Sequence, residues 1–271
     1  MTKHFGVIRL KVIILAAGEG RRLKPLTNNK PKCMVELFGY TLLDWQLEIF
    51  RNCNIKDIII VTGFKNESIQ VENVIYYQNE NYDKTNMVET LFCAKQEMTD
   101  SIIISYGDII FERKIIEKLL ATKEECVVVV DKNWKKYWEM RFSNSLQDAE
   151  SLRIDDNCYI TSIGQKVNNI EEIQAQYIGL MKFQGKGLQD FMKFYESTKS
   201  ISLSGKNPLN PNLPFEKSFM TDLLQGFINH GGKIKAMQIS NGWLELDTLD
   251  DYNLYEKMFS DNTLGQIISL K

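Results

Sequence analysis

Short runs of β-branched residues, separated by helix-length amphipathic segments, recur along this chain and restrict it to one class of fold. The runs KVIILAA, DIIIVTG, VIYY, SIIISY and CVVVVD are apolar almost without interruption. A strand with one face in water alternates apolar and polar residues, whereas a strand apolar throughout is covered on both faces. Between them, TLLDWQLEIFRNC, TNMVETLFCAKQE and RKIIEKLLATKEE repeat apolar residues at spacings of three and four, the mark of a helix with one buried stripe. This order predicts an α/β fold: a three-layer, Rossmann-like, mostly parallel sheet with helices on either side. Further on, RIDDNCYITSIGQK reads as a hairpin and AQYIGLMKF as another strand. Residues 1–10 read as an N-terminal tail and 11–271 as a single domain, with a small hairpin subdomain over about 131–185.

The totals exclude several function classes. Lysine and arginine number 33 against 35 acidic residues, so the net charge of −2 offers no basic field for nucleic acid. Five cysteines are scattered without C-x-x-C spacing and two histidines lie far apart, which speaks against zinc, disulfides and histidine-based catalysis. No apolar run approaches the roughly 18 residues of a membrane span. The start MTKHFGVIRLKVIILAAG imitates a secretion signal, but Lys11 interrupts it and strand–helix units follow at once. The chain reads as cytoplasmic, with neither nucleic acid nor membrane as a partner.

Ligands of open parallel sheets bind beyond the carboxyl ends of the strands. That rule selects Gly18 to Arg22, the segment from Asn79, Asp108 and Asp131. In LAAGEGRRLKPLT the glycines leave N–H groups accessible and the arginines add fixed charge, so the stretch is suited to an anion. It is not a dinucleotide fingerprint, because Leu23 stands where the third glycine belongs, and it lacks the lysine pattern of a Walker loop. By itself the two-glycine match also fits a plain turn.

Together with the following KPKCMV, however, it resembles the signature of nucleotidyltransferases that activate sugar phosphates and related small phosphates, L-A-A-G-x-G-x-R-[LM]-x-P-L-T and then P-K. The resemblance implies a nucleotide-diphospho-sugar transferase type of fold. It implies that Leu15, Ala16, Ala17, Gly18, Glu19 and Gly20 cradle a triphosphate, with Tyr106 and Gly107 also on the nucleotide. It makes Arg22 and Lys32 the catalytic cations, and it makes Asp108 in YGDII and Asp247 in WLELDTLDDY the ligands of Mg2+. Such chemistry suits this composition. A phosphomonoester, with its second pKa at about 6, is already nucleophilic at neutral pH and needs no general base. The obstacle is repulsion between two anions, which positioning, cationic side chains and a bridging divalent ion overcome. The competing structural reading makes Asp108 and Asp247 helix caps.

NENYDKTNMVETL resembles the N-x-x-Y-x-x-x-N stretch of the cytidylyltransferase branch, with Asn79 and Asn86 placed to meet a pyrimidine edge; Asn86 also suits a helix cap. W-x-E-[IL]-D-T-x-x-D leans the same way and puts Glu245 on the acceptor side. Trp134, Tyr137 and Trp138, at helical spacing, suit either core packing or a wall for a cationic head group. Arg141 and Arg153 suit a carboxylate, and Lys166 either the acceptor's phosphate or plain solvent. The implied partners are CTP and a small phosphorylated acceptor. Phosphoglutamine is favoured, giving CDP-linked glutamine phosphoramidate and pyrophosphate for surface polysaccharide modification. Phosphocholine, a phosphonate, or a UTP- or dTTP-dependent sugar 1-phosphate reaction stand as alternatives. Gln176 departs from the glutamate that many members of the family carry there. The Pro- and Asn-rich segment 204–215 reads as a lid, a subunit contact or a solvated connection.

Overall fold

A computed structural model describes residues 9–270. In chain order its strands are β1 (Leu10–Ala16), β2 (Glu36–Leu37), β3 (Tyr40–Thr41), β4 (Asp57–Thr62), β5 (Ile75–Gln78), β6 (Ser101–Tyr106), β7 (Ile109–Phe111), β8 (Cys126–Asp131), β9 (Glu150–Ile154), β10 (Ile160–Lys166), β11 (Gln176–Gln184), β12 (Lys235–Ile239) and β13 (Trp243–Glu245). The α-helices are α1 (Leu42–Asn52), α2 (Met87–Cys93), α3 (Arg113–Leu120), α4 (Trp134–Arg141), α5 (Gly185–Ser202), α6 (Met220–Asn229) and α7 (Leu249–Ser260). Seven strands form the central sheet in the order β12-β8-β11-β6-β1-β4-β5. Every pairing in it is parallel except those of β11, which runs against both β6 and β8.

Alternate residues of a strand face opposite sides, and β1 shows how both sides are covered. Val12, Ile14 and Ala16 join the core built with α1, α3, α4 and α7, while Ile13 and Leu15 join the core with α2, α5 and α6. Removing an isoleucine side chain from water contributes roughly 2–3 kcal/mol, so a strand buried on both faces is anchored twice. Lys11, the one polar break in this run, sits at the sheet's lower edge with its Nζ 2.8 Å from Glu97.

Helix starts follow local chemistry. Thr41 and Asp44 form a reciprocal cap on α1, and Thr248 and Asp251 do so on α7. The cap of α7 is therefore Thr248 and not Asp247, and α3 begins after Glu112, not Asp108. Both aspartates are left for other work.

Three boundaries differ from the sequence reading. Leu10 belongs to β1, in register with Ser101, so the tail is shorter than 1–10; residues 1–8 lie outside the described ones. The hairpin is only β9 and β10, a separate two-stranded sheet, because β11 has both of its edges paired inside the central sheet. Asp131, selected by the strand-end rule, is buried, and its carboxylate accepts from Trp243 Nε1 at 2.9 Å and from the N–H groups of Asn133 and Asn241. It fastens β8 to the segment leading into β13. All five cysteines are free, and burial pushes the thiols of Cys33 and Cys126 up to about 12. Among the described residues no helix is long and apolar enough to cross a membrane.

Candidate active site

The loop after β1 folds back because Gly20 adopts a left-handed conformation at φ 65°. A β-carbon there would lie 3.0 Å from Lys32 Cβ, so only glycine lets the loop rest on the segment carrying that lysine. Lys32 N–H donates to the Gly18 carbonyl at 3.1 Å, and Thr27 Oγ1 donates to the Gly20 carbonyl at 2.8 Å. From the neighbouring strand, Gly107 N–H donates to the Leu15 carbonyl at 3.0 Å, and a β-carbon on Gly107 would fall 2.6 Å from that oxygen. The loops that follow β1 and β6 thus meet backbone to backbone.

Between them lies a cavity of about 150 Å³, lined by Leu15, Ala16, Ala17, Gly18, Lys32, Asn86, Tyr106, Gly107 and Asp108. Tyr82, Thr85, Met87 and Thr90 also form part of its wall. These four lie in or directly after the N-x-x-Y-x-x-x-N stretch, so the sequence located the wall but not its members. Glu19 turns to Arg21, 2.5 Å away, at the loop's exterior. Asn79 is a correction: it is buried, its amide donates to Thr85 and Thr90, and its carbonyl accepts from Asn81 N–H. A fully engaged amide holds the wall in shape and has nothing left for a base. Asn86 lines the cavity while capping α2 through Met87 N–H.

The reactive centre forms where β7 and β13 pair, an association the sequence reading lacked. Glu245 stands opposite Ile109, and Leu246 N–H donates to the Asp108 carbonyl at 2.9 Å. The side chains of Asp108, Glu245 and Asp247 consequently bring carboxylate oxygens within 4.8 Å of one another. Lys32 Nζ lies among them, 2.6 Å from Asp108 and 2.7 Å from Asp247, and Arg22 pairs with Asp247. Burial alone pulls the Lys32 ammonium down, but the carboxylates of Asp108, Asp247 and Glu245 outweigh it and hold it well above the usual value. Burial likewise favours protonation of Asp247, and Lys32 and Arg22 reverse this and keep it ionised. Glu245 has weaker help: burial, with Asp247 and Asp108 nearby, pushes its carboxyl up to about 7 despite Arg141.

This trio suits a divalent cation. All donors are hard carboxylate oxygens, the class that magnesium prefers. Asp108 Oδ1 is enclosed and accepts no hydrogen bond, a costly condition for a carboxylate without a ligand.

A second cavity, of about 250 Å³, opens on the other side of this centre. Arg22, Glu245 and Asp247 line it, with Tyr106 shared between the two cavities. Its remaining wall includes Trp138, Asp148, Glu150, Gln176, Tyr177 and Thr221, drawn from four separate segments. Of these, only the aromatic run and Gln176 drew notice from the sequence; nothing marked Asp148 or Glu150 as special.

Several acceptor-side expectations are corrected here. Trp134 and Tyr137 are core residues. The Glu245 N–H donates to the Tyr137 hydroxyl at 2.9 Å, and Tyr255 donates to the Glu245 carbonyl at 2.9 Å, so the two tyrosines grip the backbone beneath Glu245. Arg141 is enclosed, forks onto Asp251 at 2.8 and 3.0 Å, and reaches Glu245 at 3.1 Å. Its guanidinium also lies over the rings of Tyr137, Trp138 and Phe142. The cation on the aromatic wall is therefore the protein's own. Arg153 is exposed and sits 3.8 Å from Glu172. Lys166 is exposed on β10, opposite Glu150 in the hairpin register, and lines neither cavity.

Comparisons with known proteins agree with this architecture. Residues 12–156 match the model of the MobA-like NTP transferase domain. The CTP:phosphoglutamine cytidylyltransferase of Campylobacter jejuni subsp. jejuni serotype O:2 is 40% identical over 255 residues, which cover 89% of this chain and 97% of that protein. The choline-phosphate cytidylyltransferase of Streptococcus pneumoniae is 34% identical over 107 residues, 38% of this chain and 47% of that one. A solved structure of CTP:phosphocholine cytidylyltransferase from Streptococcus pneumoniae shares the fold at a TM-score of 0.70 and 20% identity, covering 93% of this chain and 100% of the other. With the glycine loop, the paired cations and the carboxylate trio at the strand ends, this chain is a nucleotidyltransferase belonging to the MobA-like NTP transferase family.

Proposed function

We propose that this protein transfers the cytidylyl group of CTP to phosphoglutamine, forming CDP-linked glutamine phosphoramidate and pyrophosphate. The reading rests on one observation above all. Arg22, Lys32 and the carboxylates of Asp108, Glu245 and Asp247 stand at the seam where two cavities meet, so a triphosphate on one side faces the phosphoryl group of a small acceptor on the other. The 40% identity to a CTP:phosphoglutamine cytidylyltransferase, spread over 89% of the chain, supports the choice of substrates.

In the reaction an oxygen of the acceptor's phosphate attacks the α-phosphorus of CTP. A P–O bond forms there, and the bond from the α-phosphorus to the bridging oxygen of pyrophosphate breaks. The loop Leu15–Gly20 offers backbone N–H groups to the triphosphate, and the base lies in the cavity walled by Tyr82, Thr85 and Asn86. Lys32 and Arg22 leave their carboxylate partners for the phosphates, setting fixed positive charge where negative charge accumulates on the leaving group. Mg2+ held by Asp108, Asp247 and Glu245 would supply the remaining neutralisation of the triphosphate. We place this activity in the cytoplasm, in one domain spanning 11–271, within surface polysaccharide modification.

The test is pyrophosphate release with CTP, UTP and dTTP against phosphoglutamine, phosphocholine, 2-aminoethylphosphonate and glucose 1-phosphate. CTP with phosphoglutamine should give the highest kcat/KM, and chelation of divalent ions should stop release. Faster turnover of UTP or dTTP with the sugar phosphate would refute the assignment.

A further inference from the structure

The second cavity carries an imbalance of charge that the transfer of a phosphate does not explain. Asp148 and Glu150 line it, in addition to Glu245 and Asp247. The nearby cations are already matched elsewhere: Arg22 with Asp247, and Arg141 with Asp251 and Glu245. Among the described residues neither Asp148 nor Glu150 has an ion-pair partner. Burial, reinforced by Asp148 and Asp222 and only partly offset by the Thr221 side chain, pushes the Glu150 carboxyl up to about 7. Burial, with Asp247 nearby, raises Asp148 as well, and the more distant charges of Arg141 and Arg22 offset this only in part. Carboxylates kept from water without a counter-charge are costly, and such a pair lining a binding cavity fits a cationic visitor. On the same wall Trp138 is 3% exposed, and its indole Nε1 approaches the Asp148 carboxylate without completing a well-formed hydrogen bond.

Glu150 is also held in place. Its N–H donates to Gln176 Oε1 at 3.4 Å, and Gln176 Nε2 donates to its carbonyl at 2.7 Å, tying β9 to the central sheet. The aromatic faces that would suit a trimethylammonium group are covered by Arg141 over Tyr137 and Trp138. What remains is a pair of hydrogen-bond acceptors, which a quaternary ammonium without N–H groups leaves unsatisfied.

We infer that Glu150 and Asp148 are the specificity residues of the acceptor site, binding a primary ammonium group on the phosphorylated acceptor. This deepens the proposed reaction and rests on it for the identity of that acceptor. An amino-acid phosphate brings such an ammonium.

The experiment reads binding separately from turnover. By calorimetry, the wild-type protein should bind phosphoglutamine at least about tenfold more tightly than its Nα-acetyl analogue or phosphocholine. In the E150Q/D148N double variant that preference should fall below about twofold, with CTP binding reporting that the variant is folded. Should the double variant not fold, E150Q and D148N singly provide the same reading. No preference in the wild type, or a preference unchanged in the variants, overturns the inference. Lack of cytidylyl transfer to any acceptor, with the amine preference intact, would instead refute the proposed reaction and leave the ammonium site standing.

Discussion

The two cavities of this site are built in different ways. Beneath the first, two loops are joined by backbone hydrogen bonds, Lys32 N–H to Gly18 and Gly107 N–H to Leu15, and glycines permit the close approach. Beneath the second, side chains from β9, α4, α6, β11 and β13 converge, and most hold each other in place rather than facing the cavity. A site made of backbone depends on a few small residues at fixed spacing. A site made of side chains depends on tertiary packing, so its chemistry drifts more readily while the fold stays the same.

The sharpest test removes the junction between the two sides. Asp108→Ala should lower kcat for pyrophosphate release about 1000-fold or more, with the far-UV circular dichroism unchanged. A loss below tenfold would mean that Asp108 holds no ion and that the cavities work apart. The next test strikes the acceptor side from below. Arg141→Met leaves Asp251 and Glu245 enclosed without their cation and should cost about 3–5 kcal/mol in urea unfolding. A small cost would show that the acceptor floor is not held by this network.

The third prediction concerns pH. The folded-state pKa of Glu150, about 7, lies above its ordinary 4.5. Stability favouring the protonated carboxyl is therefore fully present below pH 4.5 and is lost as pH rises through 7. Glu150→Gln should match the wild type in the free energy of urea unfolding near pH 4.5 and exceed it by roughly 1–3 kcal/mol above pH 7. Equal stability at both pH values would place Glu150 in water. The smallest effect belongs to the rim. Lys166→Ala, outside both cavities, should change KM for the acceptor and for CTP by less than about twofold; a tenfold rise for the acceptor alone would bring this lysine into the site.

That division also explains what the sequence disclosed. The strands of the central sheet are legible because β-branched runs buried on both faces have few alternatives. The glycine loop is legible because its spacing is tied to backbone geometry; Arg22, Lys32, Asp108 and Asp247 were singled out by resemblance alone, and the fold brings the four together. Tyr137 and Arg141 misled because an aromatic or a guanidinium at helical spacing looks the same whether it meets a ligand or grips the strand below. Asn79 misled for a related reason: its amide suits a base as well as it suits Thr85 and Thr90. Asp148 and Glu150 had no signal at all, since two acidic residues before a hairpin usually lie in solvent. Only the folding of β9 against β11 and α6 turns them inward. Gln176 shows the same limit, because it supplies no charge of its own and instead positions a neighbour that does.

The β9–β10 hairpin shares no ladder of its own with the central sheet and is attached by a handful of clasps, among them Gln176 to the Glu150 backbone and Gln225 accepting from Ile163 N–H at 2.8 Å. Leu152, Ile160 and Ile163 root it in the core, so the clasps fix where Glu150 stands while the exposed residues of the hairpin are free to vary.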